Sequence, residues 1–198
     1  MKSTFLKSAK VGLLISTTIS QISCAQDAIE PYFSGLPQGI TVSESCSNYY
    51  GYSINLTEKE GDQQFDLYKG ASCSGTKIYS LVLGAEANLA GVWQDYLVFD
   101  EGTDVNGHNL RLVSLTNNNE LYTLYFEGAP PEFDNKKITY FSPSEEEATA
   151  KQCDPLGIDF KDLEENSAGV LIGHQVEFLL ETKKSVHVEG KYTCYAVQ

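Results

Sequence analysis

The densest set of side chains capable of chemistry is the run Asp100-Glu101-Gly102-Thr103-Asp104-Val105-Asn106-Gly107. Carboxylates and an amide crowded onto one turn are hard oxygen donors of the kind Ca²⁺ takes, which makes Asp100, Asp104 and Asn106 the candidate metal ligands. The run lacks the ligand order and closing Glu of an EF-hand, and Asn106-Gly107 serves a tight hairpin turn equally well. Of the three histidines, His108 sits beside that turn, His174 follows Gly173, and His187 lies between Val186 and Val188. No Gly-x-Ser-x-Gly elbow exists to present a nucleophile. Acids are plentiful, but a glycosidase pair needs two carboxyls set at a defined separation across a cleft, and Glu145 to Glu147 read as an exposed helix start. No catalytic residue is nominated.

A second kind of site would use aromatic rings. The chain has 12 tyrosines and a single tryptophan, and Tyr49, Tyr50, Tyr52 and Trp93 are candidates for stacking a sugar or docking a protein, because tyrosine combines apolar area with a hydroxyl. The competing use is packing within strands, where aromatics are favoured. Asn55-Leu56-Thr57 is an N-glycosylation acceptor sequence only in a eukaryotic secretory route.

These residues must be carried by a framework, and the cysteines mark it. Cys46, Cys73, Cys153 and Cys194 form an even set without a Cys-x-x-Cys pair, which favours two disulfides over a zinc or redox centre. Tyr49 to Thr57 and Phe65 to Ala71 are strand-like, and the polar run from Glu58 to Asp62 between them makes a hairpin loop. Opposed residues of such a hairpin have a constant index sum, and Cys46 falls almost opposite Cys73 on that rule. Cys153 and Cys194 then pair by elimination.

The fifth cysteine, Cys24, lies in residues 1–25, which read as an export signal: Lys2, Lys7 and Lys10, then the apolar stretch Val11 to Ile22, then the small residues Ser23-Cys24-Ala25 ahead of a cleavage site. Alternatively, Ile22-Ser23-Cys24 resembles a bacterial lipoprotein signal, with Cys24 the lipidated anchor to the envelope. Both readings send the chain outside the cytosol, secreted or periplasmic. Acids outnumber bases 27 to 14, and losing that segment, with its three lysines and no acid, takes the net charge from −13 to −16. Such a charge disfavours nucleic acid and anionic membranes and speeds encounter with a basic partner. No later stretch is long and apolar enough to span a bilayer.

Residues 26–40 form a lead-in arm, and 41–198 a single disulfide-stapled domain. Ile78 to Leu83 is a continuous β-prone run. Val92 to Phe99 reads as one strand with Trp93, Leu97 and Phe99 on one face and Val92, Tyr96 and Val98 on the other, both covered. Leu110 to Leu115 neighbours it. Leu121 to Phe126 pairs with Lys137 to Phe141 around Pro130-Pro131, and Val176 to Leu180 pairs with Val186 to Val188. Tyr192 to Val197 closes the chain. One short helix is expected near 143–152, from the capping box Ser142-Pro143-Ser144-Glu145, and 156–169 is either an anchored loop or a second short helix. The fold expected is all-β, a hairpin-built sandwich or meander barrel, with a small β-propeller as the alternative. Function follows as an expectation: an exported non-enzymatic binding module, acidic, engaging a basic protein or peptide. The alternatives are a secreted hydrolase acting on polysaccharide or peptide, and a lipid-tethered surface protein.

Overall fold

The computed structural model describes residues 33–36, 46–49, 51–84, 87–103, 107–117 and 120–197. Residues 1–25, read from sequence as an export signal and including Cys24, and most of the expected arm lie outside these. The chain is all-β: three four-stranded antiparallel sheets, each a meander drawn from one contiguous stretch, with no closed barrel. The first sheet holds β1 (Ser47–Tyr49), β2 (Tyr52–Lys59), β3 (Asp62–Lys69) and β4 (Thr76–Leu83). The second holds β5 (Ala87–Trp93), β6 (Tyr96–Gly102), β7 (Gly107–Ser114) and β8 (Leu121–Glu127). The third holds β9 (Glu132–Phe133), β10 (Lys137–Glu147), β11 (Gly169–Leu179) and β12 (Lys184–Val197), with the short helices α1 (Ala150–Cys153) and α2 (Phe160–Glu165) inserted between β10 and β11.

The sheets stack in chain order. One buried cluster joins Ile54, Phe65, Leu67 and Leu83 of the first sheet to Leu89, Val92, Leu97, Phe99 and Val113 of the second. Another joins Trp93, Val98, Leu110, Leu112 and Phe126 of the second to Ile138, Tyr140, Val176 and Phe178 of the third. The middle sheet is therefore apolar on both faces, and its β6 is buried from Tyr96 to Asp100. Each four-stranded meander has the topology of a propeller blade. Ring closure would bring the first and third sheets together, and no buried cluster contains both among the described residues.

Residues expected to form one strand, Val92 to Phe99, belong to two. The chain reverses at Gln94-Asp95, where Gln94 takes φ 53°, and Trp93 opposes Tyr96. Paired residues share a face, so a two-residue turn inverts the odd-even alternation. Trp93 consequently packs with Tyr96 and Val98, and Val92 with Leu97 and Phe99. Leu121 to Phe126 pairs with β7, and Lys137 to Phe141 with β9 and β11, because Pro130-Pro131 separates two sheets rather than bending one hairpin. The Val176 pairing holds, with Val176 opposite His187, and Tyr192 to Val197 continues the same strand β12.

The arm enters the core. Phe33 and Leu36 are buried in the cluster between the second and third sheets, and the Phe133 N–H donates to the Ser34 carbonyl at 2.9 Å. Gly35, at φ 75°, lies so close to β9 that a Cβ would sit 1.9 Å from the Phe133 carbonyl oxygen, which bars any side chain there.

Both disulfides form as paired in the sequence, with Cα–Cα distances of 5.7 Å for Cys46–Cys73 and 5.8 Å for Cys153–Cys194. The route to the first differs from the simple hairpin. β2 stops at Tyr52, Gly51 takes φ 82°, and β1 folds back along β2 with Ser47 opposite Ile54. Cys46 thus stands at the start of a third strand, β1, rather than on an extension of β2.

Candidate binding face

The helical insertion of the third sheet is where the sequence departs from regular strand. Ser142-Pro143-Ser144-Glu145, expected to cap a helix, belongs to β10, which runs on to Glu147. The Ser144 hydroxyl donates to the Ile172 carbonyl across the sheet at 2.7 Å and accepts the Glu146 N–H at 3.2 Å, so the side chain serves the strand instead of a helix end. Pairing is interrupted between Pro143 and Glu147, where proline has no N–H to give the ladder. Helix α1 starts later, at Ala150 after Thr149, and gives way at Asp154-Pro155 to one turn of 3-10 helix that Gly157 ends at φ 78°. Residues 156–169 contain the second helix, α2, whose first turn is capped by the Asp159 carboxylate accepting the Asp162 N–H at 3.1 Å.

These pieces are fastened underneath. Cys153 is fully buried, and its bond to Cys194 lies in a cluster with Ala148, Val170 and Ile172, against which Ile158, Phe160 and Leu163 pack. What faces outward is acidic. Glu145, Glu146, Glu147, Asp154, Asp159, Asp162, Glu164 and Glu165 are all exposed, and the only basic residues in the same stretch are Lys151 and Lys161. Glu146 lies 3.6 Å from His174 Nε2 and Glu165 lies 3.5 Å from Lys161, both pairs at the surface. A groove of about 400 Å³ runs beside α2, with Phe160, Val170 and Leu171 among its apolar lining and Glu147 and Glu164 among its charged lining.

The chain matches no protein-family model, no curated protein and no solved structure.

The residues nominated from sequence occupy separate places. Tyr52 is half-buried against the cluster between the first two sheets and donates its hydroxyl to the Leu115 carbonyl at 3.2 Å. Tyr49 lies on β1, and Tyr50 is outside the described residues. Trp93 is 2% exposed in the core between the second and third sheets, and its indole N–H donates to the Asp134 carbonyl at 2.5 Å. Asp100, at the far end of β6 from Trp93, is buried and bonded to His108, while Asp104 and Asn106 lie outside the described residues. Among the described residues, no group of three His, Cys, Asp or Glu side chains is placed to hold a metal ion. Tyr52, Trp93 and Asp100 therefore do not converge on one concavity.

The acidic face was not nominated from sequence, although its signal is plain: eight acids against two lysines between residues 145 and 165. Read only as the start of a helix, the acids looked like ordinary charge at a helix's positive end. The folded chain instead spreads them over the end of β10, a 3-10 turn, and helix α2 with its cap, on one disulfide-held platform. No helix among the described residues is long and apolar enough to cross a membrane.

Proposed function

We propose that the chain is an exported binding module that engages a basic protein or peptide through the acidic face of its third sheet. The observation that carries this reading is the set of eight exposed carboxylates on residues 145–165, anchored from below by the Cys153–Cys194 bond. A rigid array spends little conformational entropy on binding, and summed like charges steer an oppositely charged partner to the surface. The groove beside α2 supports the same assignment, since its apolar walls and two glutamates suit the aliphatic stem and cationic head of a lysine or arginine. Two disulfides are compatible with an oxidising compartment, which is where the export segment would deliver the chain.

The test is calorimetric titration of a lysine-rich peptide into the full chain at low and high salt. Affinity is expected to fall by about tenfold or more as ionic strength rises from about 0.05 to about 0.5 M, because exposed charges are screened over a few ångströms at high salt. The triple variant Glu145→Lys, Glu146→Lys, Glu147→Lys should lose most of the low-salt affinity. Equal binding at both salt concentrations, or by the variant, would overturn the electrostatic account.

A further inference from the structure

A second concavity, which shares no lining residue with the groove beside α2, lies where the ends of β6, β7 and β8 meet the end of β12. It encloses about 430 Å³ and is lined by Phe33, Phe126, Pro130 and Tyr195 together with Asp100 and His108. That size and mostly apolar lining with few polar groups are the usual attributes of a small-molecule site.

The polar groups are arranged for one task. Asp100 is 4% exposed, and its Oδ1 lies 2.9 Å from His108 Nδ1. His108 stands opposite Phe126 across β7 and β8, and the two rings stack at 5.2 Å with 23° between their planes. The carboxylate accepts the Nδ1–H and the phenyl ring stacks on the imidazole, which favours the Nδ1–H tautomer and, when the ring is neutral, leaves Nε2 as a hydrogen-bond acceptor. Among the described residues, no other polar partner of this imidazole is present. The Tyr195 hydroxyl is bonded to Glu127, so Tyr195 offers its ring rather than a competing donor.

We infer that this cavity binds a small neutral aromatic molecule carrying a phenolic hydroxyl, its ring against Phe33, Phe126, Pro130 and Tyr195 and its hydroxyl donating to His108 Nε2. Aromatic walls favour a flat ring, and an acceptor without a partner favours a ligand that donates. The buried Asp100 carboxylate and the negative charge of the whole chain disfavour an anionic ligand.

The experiment titrates the full chain with p-cresol, toluene, p-toluate and 4-methylbenzylamine at mildly alkaline pH. p-Cresol should bind at least about tenfold more tightly than the other three, the ratio expected from one satisfied hydrogen bond. His108→Phe keeps a ring to stack on Phe126 and should bring p-cresol and toluene to about equal affinity. Should that variant fail to fold, imidazole ¹⁵N spectra of the unaltered chain decide: the His108 Nε2 resonance should move with p-cresol and stay with toluene. Equal binding of p-cresol and toluene, tighter binding of the anion or the amine, no binding of any probe, or an Nε2 resonance indifferent to p-cresol each overturns the assignment.

Discussion

The middle sheet packs on its two neighbours in different ways. Toward the third sheet the interface is aromatic: Trp93 lies 6.3 Å from Phe178 and 6.1 Å from Phe133, Tyr122 lies 5.1 Å from Phe178, and Phe33 stacks on Phe133. Polar groups at its edges are hydrogen-bonded both within each sheet and across the interface. Trp93 donates to Asp134, Tyr140 to Ser185, and Tyr96 and Tyr122 both donate to the Glu120 carboxylate at 2.7 Å. Lys183, on the turn before β12, also bonds the Tyr96 hydroxyl and lies over its ring. Toward the first sheet the interface is mainly aliphatic, with one close aromatic pair, Phe65 and Phe99 at 4.7 Å. Directional contacts there include Tyr52 to Leu115 and the Gly84 N–H to Glu101, whose other oxygen is held by Arg111. Burial drives both layers together. Across the third-sheet interface the directional contacts are the Trp93 indole on the Asp134 carbonyl and Lys183 on Tyr96 and Glu120.

The sharpest way to break this comparison is to truncate one ring on each side. Phe178→Ala removes a 1% exposed ring touching both Trp93 and Tyr122, and its cost should approach about 5 kcal/mol in urea unfolding. Phe65→Ala removes one partner of a single pair and should cost nearer to about 3 kcal/mol. A larger loss for Phe65→Ala would mean that the aliphatic layer is the stronger one.

Comparable in size are the crosslinks, one in each outer sheet. Chain entropy alone makes them nearly equal, about 4 kcal/mol for Cys153–Cys194 with its sequence separation of 41 and about 3.5 for Cys46–Cys73 with 27. Their surroundings differ. Cys153 and Cys194 are buried, whereas Cys46 is exposed and Cys73 half-buried. Paired Cys→Ala variants measured by thermal melting and hydrogen exchange should show the 153–194 variant losing more stability and losing amide protection across α1 and α2. The 46–73 variant should keep that protection. Equal protection in both would show that the acidic platform is held without its disulfide.

The smallest effect concerns Glu120. Hydrogen bonds from Tyr96 and then Tyr122, aided by Lys183, hold its carboxyl below the usual glutamate range. A carboxyl with a lowered folded-state pKa contributes stability above its unfolded value, about 4.3, and that contribution disappears as pH falls through the folded value. Glu120→Gln should therefore cost about 1 kcal/mol at neutral pH and flatten the decline in stability below about pH 4.3. The check is a set of urea midpoints across that acid range, and an unchanged acid slope would remove Glu120 from the account of this interface.

Much of the fold was legible in the residues, and the failures have physical causes. The strand content, the two covered faces of the middle sheet and both disulfides could be read from alternation, turn chemistry and cysteine parity. Trp93 went to the wrong face because Gln94-Asp95 carries none of the Asn-Gly or Gly-rich chemistry that announces a two-residue turn. The Ser142 capping box misled because a serine that can cap a helix can equally bond across a strand, and the Ile172 carbonyl was there to receive it. The contact between Asp100 and His108 was not legible either, because the β6–β7 pairing is what brings those two strand ends together. The acidic face escaped notice because charge is legible residue by residue, but its concentration on one platform depends on how the insertion folds.

By itself, the order of residues determined the things that neighbours along the chain decide: where strands can form, which cysteines can meet, and how much negative charge the surface must carry. Only the tertiary structure decided which hairpins share a sheet, which face of Trp93's strand meets which layer, and that Asp100 and His108 close one end of an aromatic cavity. The division has one physical reason. Backbone alternation and charge are local properties, while sheet membership and cavity formation are settled by burying apolar surface between segments that are far apart in the chain.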